Sequence, residues 1–447
     1  MNYLVAFVSL GCDKNLVDSE NMLGLLHENG YVLTSEEDKA DVLVVNTCCF
    51  IEDAKKESIE NILQMAKYKQ HGKCKALIVT GCMAQRYKQE ILDEIPEVDA
   101  VLGTTSYDKI VSAVNDTLEK KGVKVQHYDA IDRDIIEDMP RILTTAGYYA
   151  YIKIAEGCNN KCSYCIIPKL RGRYRSRLLK KIENEVIKLS KNGVSEIILI
   201  AQDTTQYGVD LDNTNLITLI RNLSKVENIE WIRLLYCYPE NITDELIDEI
   251  KLNRKVCKYI DIPIQHASDN VLKKMGRRSR NKDLKDLIYR LRREIPDIAI
   301  RTTLITGFPG ETEEDFNILC EFVEEMRFDR LGVFAYSQEE GTKAAEFTDQ
   351  IDESIKQRRK EIIMGIQQDI SRSNNHSKIG KIMKVLIEGK IIEDDVYVGR
   401  SYQDAPEIDG QIFIDYQGEL ISGDYVDVKI IQANDYDLIG EIIDEYC

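Results

Sequence analysis

No apolar run in this 447-residue chain approaches the roughly 20 residues that a membrane-crossing helix requires, so a membrane-spanning protein is not expected. The opening stretch from Met1 to Leu10 is apolar, but it has no basic segment before it and runs straight into Gly11-Cys12-Asp13-Lys14-Asn15. It reads as a first strand and not as a secretion signal, which makes the cytoplasm the expected location. An excess of positive charge is missing as well. The net charge is −18, and a general nucleic-acid binder would instead present a broad basic face to phosphates. Structural disulfides are not expected in a reducing cytosol, so the 12 cysteines call for another use. Ligation of a metal or cluster is the leading one for those in good context.

One short stretch organises the rest. Gly157 to Cys165 reads Gly-Cys-Asn-Asn-Lys-Cys-Ser-Tyr-Cys and sets Cys158, Cys162 and Cys165 in the spacing Cys-x3-Cys-x2-Cys. A loop of that spacing can fold three thiolates around one face of a 4Fe-4S cube, leaving one iron without a protein thiolate and open to chemistry. A zinc site is the plainer alternative, but it needs a fourth Cys or His nearby, and the next histidine is His266.

The length suggests two to four domains. From residue 1 to about 125, apolar runs alternate with helical patterns: Tyr3–Leu10, Asp41–Asn46, Lys75–Thr80 and Val98–Leu102 as strands, with helices between them. Near-continuous apolar strands separated by helices predict a parallel α/β sheet. Cys12, Cys48 and Cys82 each follow the end of a strand. In an open parallel sheet those ends share one edge, where ligands bind, so three thiols spread over seventy residues can meet at a second cluster site. Cys49 neighbours Cys48, but Cys48 holds the position directly after the strand. Residues 126–143 lack periodicity and read as a linker.

From 144 to 375 the alternation resumes. Tyr148–Ala155, Glu196–Ala201, Trp231–Tyr236, Tyr259–Ile264, Ala299–Thr306 and Leu331–Tyr336 are strands, giving about six βα units and an open, partial (βα)6 barrel. Polar residues crowd the strand ends, among them Gln202, His266 and the turn Gly307–Gly310. His266 reads equally well as a substrate contact and as a structural histidine. Cys237, Cys257 and Cys320 read as packing residues, and Cys74 and Cys447 have no ligand-like context. Two basic segments, one from Lys169 to Lys181 and one at Arg277-Arg278-Ser279-Arg280, are expected to form an electropositive mouth for an anionic group.

Residues 376–447 break into five short β-runs punctuated by glycines, which predicts a small all-β barrel. This segment holds 6 Lys and Arg against 16 Asp and Glu. Such a surface repels an RNA backbone and attracts a basic protein.

These motifs resemble one family. Cys158, Cys162 and Cys165, with Tyr164 before the last cysteine, look like the radical S-adenosylmethionine motif. Ser9-Leu10-Gly11-Cys12, Asn46-Thr47-Cys48 and Thr80-Gly81-Cys82 look like the N-terminal domain of the methylthiotransferases, and the tail looks like their TRAM domain. Gly11 to Glu20, and the run from Tyr151 through Arg171-Gly172, are most similar to the branch acting on an aspartate of the S-twelve protein of the small ribosomal subunit. One departure is Cys49, where the family more often has Gly.

The resemblance implies a transferase with two 4Fe-4S clusters. One, on Cys158, Cys162 and Cys165, would bind S-adenosylmethionine and generate the radical that takes hydrogen from the aspartate β-carbon. The other, on Cys12, Cys48 and Cys82, would deliver the sulfur. Backbone near Tyr164 and the side chain of Gln202 are the positions expected to hold S-adenosylmethionine. The partners implied are a basic ribosomal protein, an electron donor and a sulfur source. The rival readings are a tRNA adenosine methylthiotransferase, which should carry a basic tail barrel, and a non-enzymatic iron–sulfur or zinc scaffold.

Overall fold

The computed structural model describes residues 3–120 and 122–443. Its first sheet is built from β1 (Leu4–Ser9), β2 (Val32–Leu33), β3 (Val42–Thr47), β4 (Ala76–Gly81), β5 (Ala100–Leu102) and β6 (Val125–His127), in the order β2-β1-β3-β4-β5-β6. Every pairing is parallel. β3 and β4 are buried at every position, as Val- and Ile-rich runs must be when helices cover both faces of a sheet. The helices Asp13–Glu28 and Ile110–Glu119 pack on one face, and Glu52–His71 on the other. β2 and β6 were not expected. β6 takes the first two residues of the expected linker into the sheet.

A second sheet follows. β7 (Tyr149–Lys153) leads into β8 (Ala155–Glu156), which pairs with β9 (Arg175–Ser176) across the cysteine loop. The six parallel strands are β7, β10 (Glu196–Ile200), β11 (Trp231–Leu234), β12 (Val256–Gln265), β13 (Ala299–Thr306) and β14 (Arg330–Ala335), in the order β14-β13-β12-β11-β10-β7. The sheet stays open between β14 and β7, so it is the partial barrel expected. Its outer face is an aliphatic core against the flanking helices. Its inner face carries charged residues instead: Lys153, Glu196, Arg233, Asp261 and Arg301.

The tail closes into a five-stranded barrel of β15 (Ile382–Ile391), β16 (Val396–Ser401), β17 (Ile412–Asp415), β18 (Tyr425–Ala433) and β19 (Leu438–Ile442). Its loop after β16 docks at the strand starts of the open barrel. Arg233 donates to Glu196 (2.8 Å) and to the carbonyl of Tyr402 (2.7 Å), and Arg400 pairs with Glu196 and Glu388. Tyr149 donates to Glu407 and Tyr259 to Asp409. Part of the tail's acidity is therefore committed inward, to the arginines and tyrosines of the barrel.

Cys74, Cys237 and Cys257 are buried, and Cys320 is half-buried, as packing residues should be. Cys447 lies outside the described residues. Among the described residues no helix is long and apolar enough to cross a membrane.

Candidate functional site

β1, β3 and β4 are neighbours in the first sheet, so the residues just beyond their ends lie side by side. Those residues are Gly11-Cys12, Cys48 and Cys82. Two glycines permit the approach. Gly11 has φ +90°, and a Cβ on it would fall 2.6 Å from Cys48 Cβ and 2.9 Å from its Sγ. Gly81 has φ +93°, and a Cβ there would strike Asn46 Oδ1 at 2.3 Å. Neither position accepts a side chain without displacing the cysteine shelf. Asn15 braces the group from below: its amide donates to the carbonyls of Leu10 and Thr47, and its Oδ1 lies 3.8 Å from Cys82 Sγ. Cys49 is buried in the same apolar core as Cys82, and its carbonyl accepts a hydrogen bond from Arg86.

The second trio hangs on the loop between β8 and the helix Ile167–Arg171. Cys158 N–H donates to Gly172 O, and Cys165 N–H to Cys162 O. Ser163, between them, is anchored on both sides, its N–H to Met275 O and its carbonyl to Ala344 N–H. Among the described residues no three His, Cys, Asp or Glu form a shell for a single metal ion. A polynuclear cluster needs thiolates set wider apart than one ion does, and each trio presents thiols only, the donor set of an iron–sulfur group.

Burial, followed by the neighbouring thiols of Cys82 and Cys12, pushes the Cys48 thiol up to about 12, and burial pushes Cys158 up to about 11. Both are protonated in the metal-free protein, and ligation must release those protons. Iodoacetamide at pH 8 should label metal-free Cys48 and Cys158 on the order of a hundredfold or more slower than an exposed cysteine, with rates rising as pH climbs toward 11. Mass-spectrometric peptide mapping measures this; labelling at the rate of a free thiol would contradict the burial.

One buried network ties the two trios together. Arg171, 1% exposed, ends the helix that follows Cys165. It donates to Asn15 Oδ1 (2.5 Å), Glu156 (2.9 Å) and Asp18 (3.1 Å). Lys153 pairs with the same Asp18 and with Glu156 at 2.9 Å. Glu156 in turn accepts from Gln202 Nε2 at 2.9 Å, and Gln202 Oε1 is buried without a partner. An orphaned buried amide oxygen beside the cysteine loop suits a donor from a bound molecule. Tyr164 stands over Phe308 edge to face, with ring centroids 6.5 Å apart.

The turn after β11 forms a second bridge. Tyr236 faces the first trio: its hydroxyl donates to Asp13 at 3.1 Å, and the Lys14 ammonium sits 2.9 Å from its ring centroid. Two residues on, the hydroxyl of Tyr238 lies 3.2 Å from Cys162 Sγ. Arg277 stacks on Tyr238 at 4.1 Å. A cavity of about 310 Å³ opens here, lined by Cys162, Asn160, Asp203, Tyr238, Glu240 and Arg277. One guanidinium nitrogen of Arg277, Nη1, is buried without a partner, so this residue fits the expected anion-holding mouth.

The Lys169–Lys181 segment does not. Arg175 and Arg177 are bound to carbonyls and to Asp132, Glu137 and Glu185; Lys181 pairs with Asp138; Lys180 with Glu183; and Lys169 caps Gly341 O. Arg175, Arg177 and Lys181 fasten the 128–143 connection to the barrel. His266 is fully buried. Its Nδ1 accepts the Ser268 N–H, which places the ring proton on Nε2, 3.6 Å from Glu311. Its Nε2 is buried without a hydrogen-bond partner, as Gln202 Oε1 is, so the ring is anchored on one side only. Lys14 and Tyr236 were not singled out by sequence reasoning. The one hint, Lys14 directly after Cys12-Asp13, has no meaning until Tyr236 is brought 222 positions back onto it.

Three family models match: the uncharacterized protein family UPF0004 over residues 4–103, the radical SAM superfamily over 152–323, and the TRAM domain over 379–443. Among curated proteins, the ribosomal protein uS12 methylthiotransferase RimO of Lachnoclostridium phytofermentans is 56% identical over 437 residues, covering 98% of this chain and 99% of that one. Its namesake in Clostridium acetobutylicum is 51% identical over 442 residues, covering 98% of each. Among solved structures, the radical S-adenosylmethionine methyltransferase TsrM from Kitasatospora setae, with cobalamin and a [4Fe-4S] cluster bound, superposes with a TM-score of 0.54 at 14% identity over 75% of each chain. That likeness concerns the fold alone.

Proposed function

The chain belongs to the RimO family of ribosomal protein uS12 methylthiotransferases, as a radical S-adenosylmethionine enzyme with a TRAM domain, and on that premise we propose that it inserts a methylthio group at the β-carbon of an aspartate of that ribosomal protein, using two 4Fe-4S clusters. The observation that carries the two-cluster reading is the presence of two separate cysteine trios, each closed on itself and joined to the other by Arg171 and the Tyr236–Tyr238 turn.

In this reading Cys158, Cys162 and Cys165 hold one cluster, and Cys12, Cys48 and Cys82 hold the other. When bound, the clusters and S-adenosylmethionine supply the radical and the sulfur, the chemistry no side chain provides. The chain's own residues position them. Gln202 offers its unpartnered Oε1 and Arg277 a free N–H to an anionic group, and the backbone around Tyr164 would complete the hold on S-adenosylmethionine. Arg171 and Lys153, neutralised by Asp18 and Glu156, form a buried contact that fixes the distance between the trios. Electrons and sulfur come from partners outside the chain. The division of labour is 1–125 for the sulfur-delivering unit, 126–143 for the connection, 144–375 for the radical core and 376–447 for the TRAM barrel, in the cytoplasm, where ribosomal proteins are made.

The choice of a protein over tRNA as substrate rests on the tail. Its Asp404, Glu407 and Asp409 are committed to the open barrel, and Glu388 to Arg400 within the tail. Glu393, Asp394, Asp415, Glu419, Asp424 and Asp427 remain exposed on its outer surface. Such a face steers a basic protein inward and repels phosphates. The test is to give the anaerobically reconstituted enzyme, with reductant and S-adenosylmethionine, either the ribosomal protein or tRNA, and to read the products by mass spectrometry. Methylthio transfer should reach the ribosomal protein alone, with binding weakened as salt rises. Modified tRNA beside an untouched ribosomal protein would overturn the reading.

A further inference from the structure

We propose that Lys14 receives the carboxylate of the target aspartate, in a subsite built from the start of the helix Asp13–Glu28 and the turn after β11. This rests on the function proposed above and adds to it the residue that grips the substrate.

Lys14 is 5% exposed. A buried lysine is ordinarily paired, because an ammonium withdrawn from water is costly to leave uncompensated. Among the described residues none gives the Lys14 ammonium a hydrogen bond or an ion pair; its contact is the face of Tyr236. The carboxylates closest to it in the fold are committed elsewhere. Asp13 accepts the Tyr236 hydroxyl, and Asp261 accepts the Tyr236 N–H at 2.9 Å and the Arg301 guanidinium at 3.0 Å. A cation on an aromatic platform, with no anion of its own, is half of an ion pair.

The platform is held under strain. Tyr236 has φ +60°, a left-handed conformation that costs a bulky residue roughly 1–3 kcal/mol. Three contacts enforce it: Asp261 on its N–H, Thr204 N–H on its carbonyl at 3.0 Å, and Asp13 on its hydroxyl. The chain fixes this ring in one place, and that place is beneath Lys14.

The location suits the reaction. Lys14 is two residues from Cys12, and Tyr236 is two residues from Tyr238, which touches Cys162. The ammonium therefore sits on the wall between the two trios, where a carbon must be reached from both. In an aspartate the carboxylate is bonded directly to the β-carbon. Fixing the carboxylate on Lys14 fixes the β-carbon one bond away, and it favours aspartate over the neutral, isosteric asparagine.

The test is equilibrium binding of reconstituted enzyme to a peptide of the ribosomal protein carrying the target aspartate, against the same peptide with asparagine, with product formation measured on both. The wild type should prefer the aspartate peptide by roughly tenfold to a hundredfold, the range of a charged hydrogen bond. K14M should bind the two alike, and K14R should keep most of the preference. Should K14M fail to fold, the wild-type arm decides: equal binding of the two peptides by wild type overturns the subsite. If wild type modifies the aspartate peptide while a folded K14M still discriminates, the subsite alone is wrong. If wild type modifies neither peptide, the parent reading falls and the subsite with it.

Discussion

Methionine at Arg171 is expected to lower the chain's stability by about 3–5 kcal/mol, the range for breaking a buried ion network by removing one partner. Arg171 has three partners, and two of them, Asn15 and Asp18, belong to the helix that starts directly after Cys12. Removing the guanidinium leaves Asp18 and Glu156 buried with Lys153 as their shared cation. Burial opposes ionisation of Glu156, but Arg171 and then Lys153 overcome it and hold its carboxyl well below the usual range. A depressed carboxyl contributes stability above its unfolded pKa and loses that contribution as pH falls through the folded value. The gap between wild type and R171M should thus be widest near neutral pH and narrow under acid. Denaturant titrations at several pH values measure it. Proteolysis within 128–143 should also become faster, because Arg171 is one of the contacts that dock that connection's two neighbours together. A variant as stable as wild type at pH 7 would mean that the network contributes nothing net.

Much of this architecture was legible because it is local. The Val- and Ile-rich runs of β3 and β4 announce buried parallel strands, and the six strands of the open barrel follow from the same alternation of apolar runs with helical periods. The first trio could be assembled from sequence by one topological rule, that parallel strands share a carboxyl edge. β1, β3 and β4 being immediate neighbours is the detail that makes the rule work. β2, of two residues, and β6, of three, are too short to carry a period and escaped notice.

What stayed hidden was the fate of charge. The basic run beginning at Lys169 looks in sequence like an open electropositive surface. Its partners Asp132, Glu137, Asp138 and Asp18 lie in the connection and in the first domain, and nothing in periodicity pairs residues 40 to 153 positions apart. The tail's acidic count mixes two populations for the same reason. Asp404 and Asp409 read like any exposed aspartate, yet they are buried against Arg330 and Arg301. The strained Tyr236 shows no sign in sequence, since its backbone is set by Asp261 on the next strand.

Alanine at Cys12, Cys48 and Cys82 together is expected to take bound iron from about eight to about four per chain and methylthio transfer to background, while reductive cleavage of S-adenosylmethionine continues. The reasoning is geometric. The backbone of the second trio's loop is hydrogen-bonded to Gly172, Met275 and Ala344, all within the barrel, and only its neighbour Ile166 packs into the core of the first domain. Its loop should keep its shape when the first trio is emptied. The three alanines remove the Arg171 contact to the Cys82 thiol, but Arg171 keeps its hydrogen bonds to Asn15 and Asp18 in the first domain. The small side chains are tolerated where a Cβ at Gly11 would not be, since each cysteine already carries its own Cβ. Iron analysis and product chromatography separate the outcomes. Retained sulfur insertion would assign the sulfur source elsewhere. Loss of cofactor cleavage along with insertion would mean that the two trios act as one unit, coupled through the Asn15–Arg171–Glu156–Gln202 chain, and not as two sites with separate tasks.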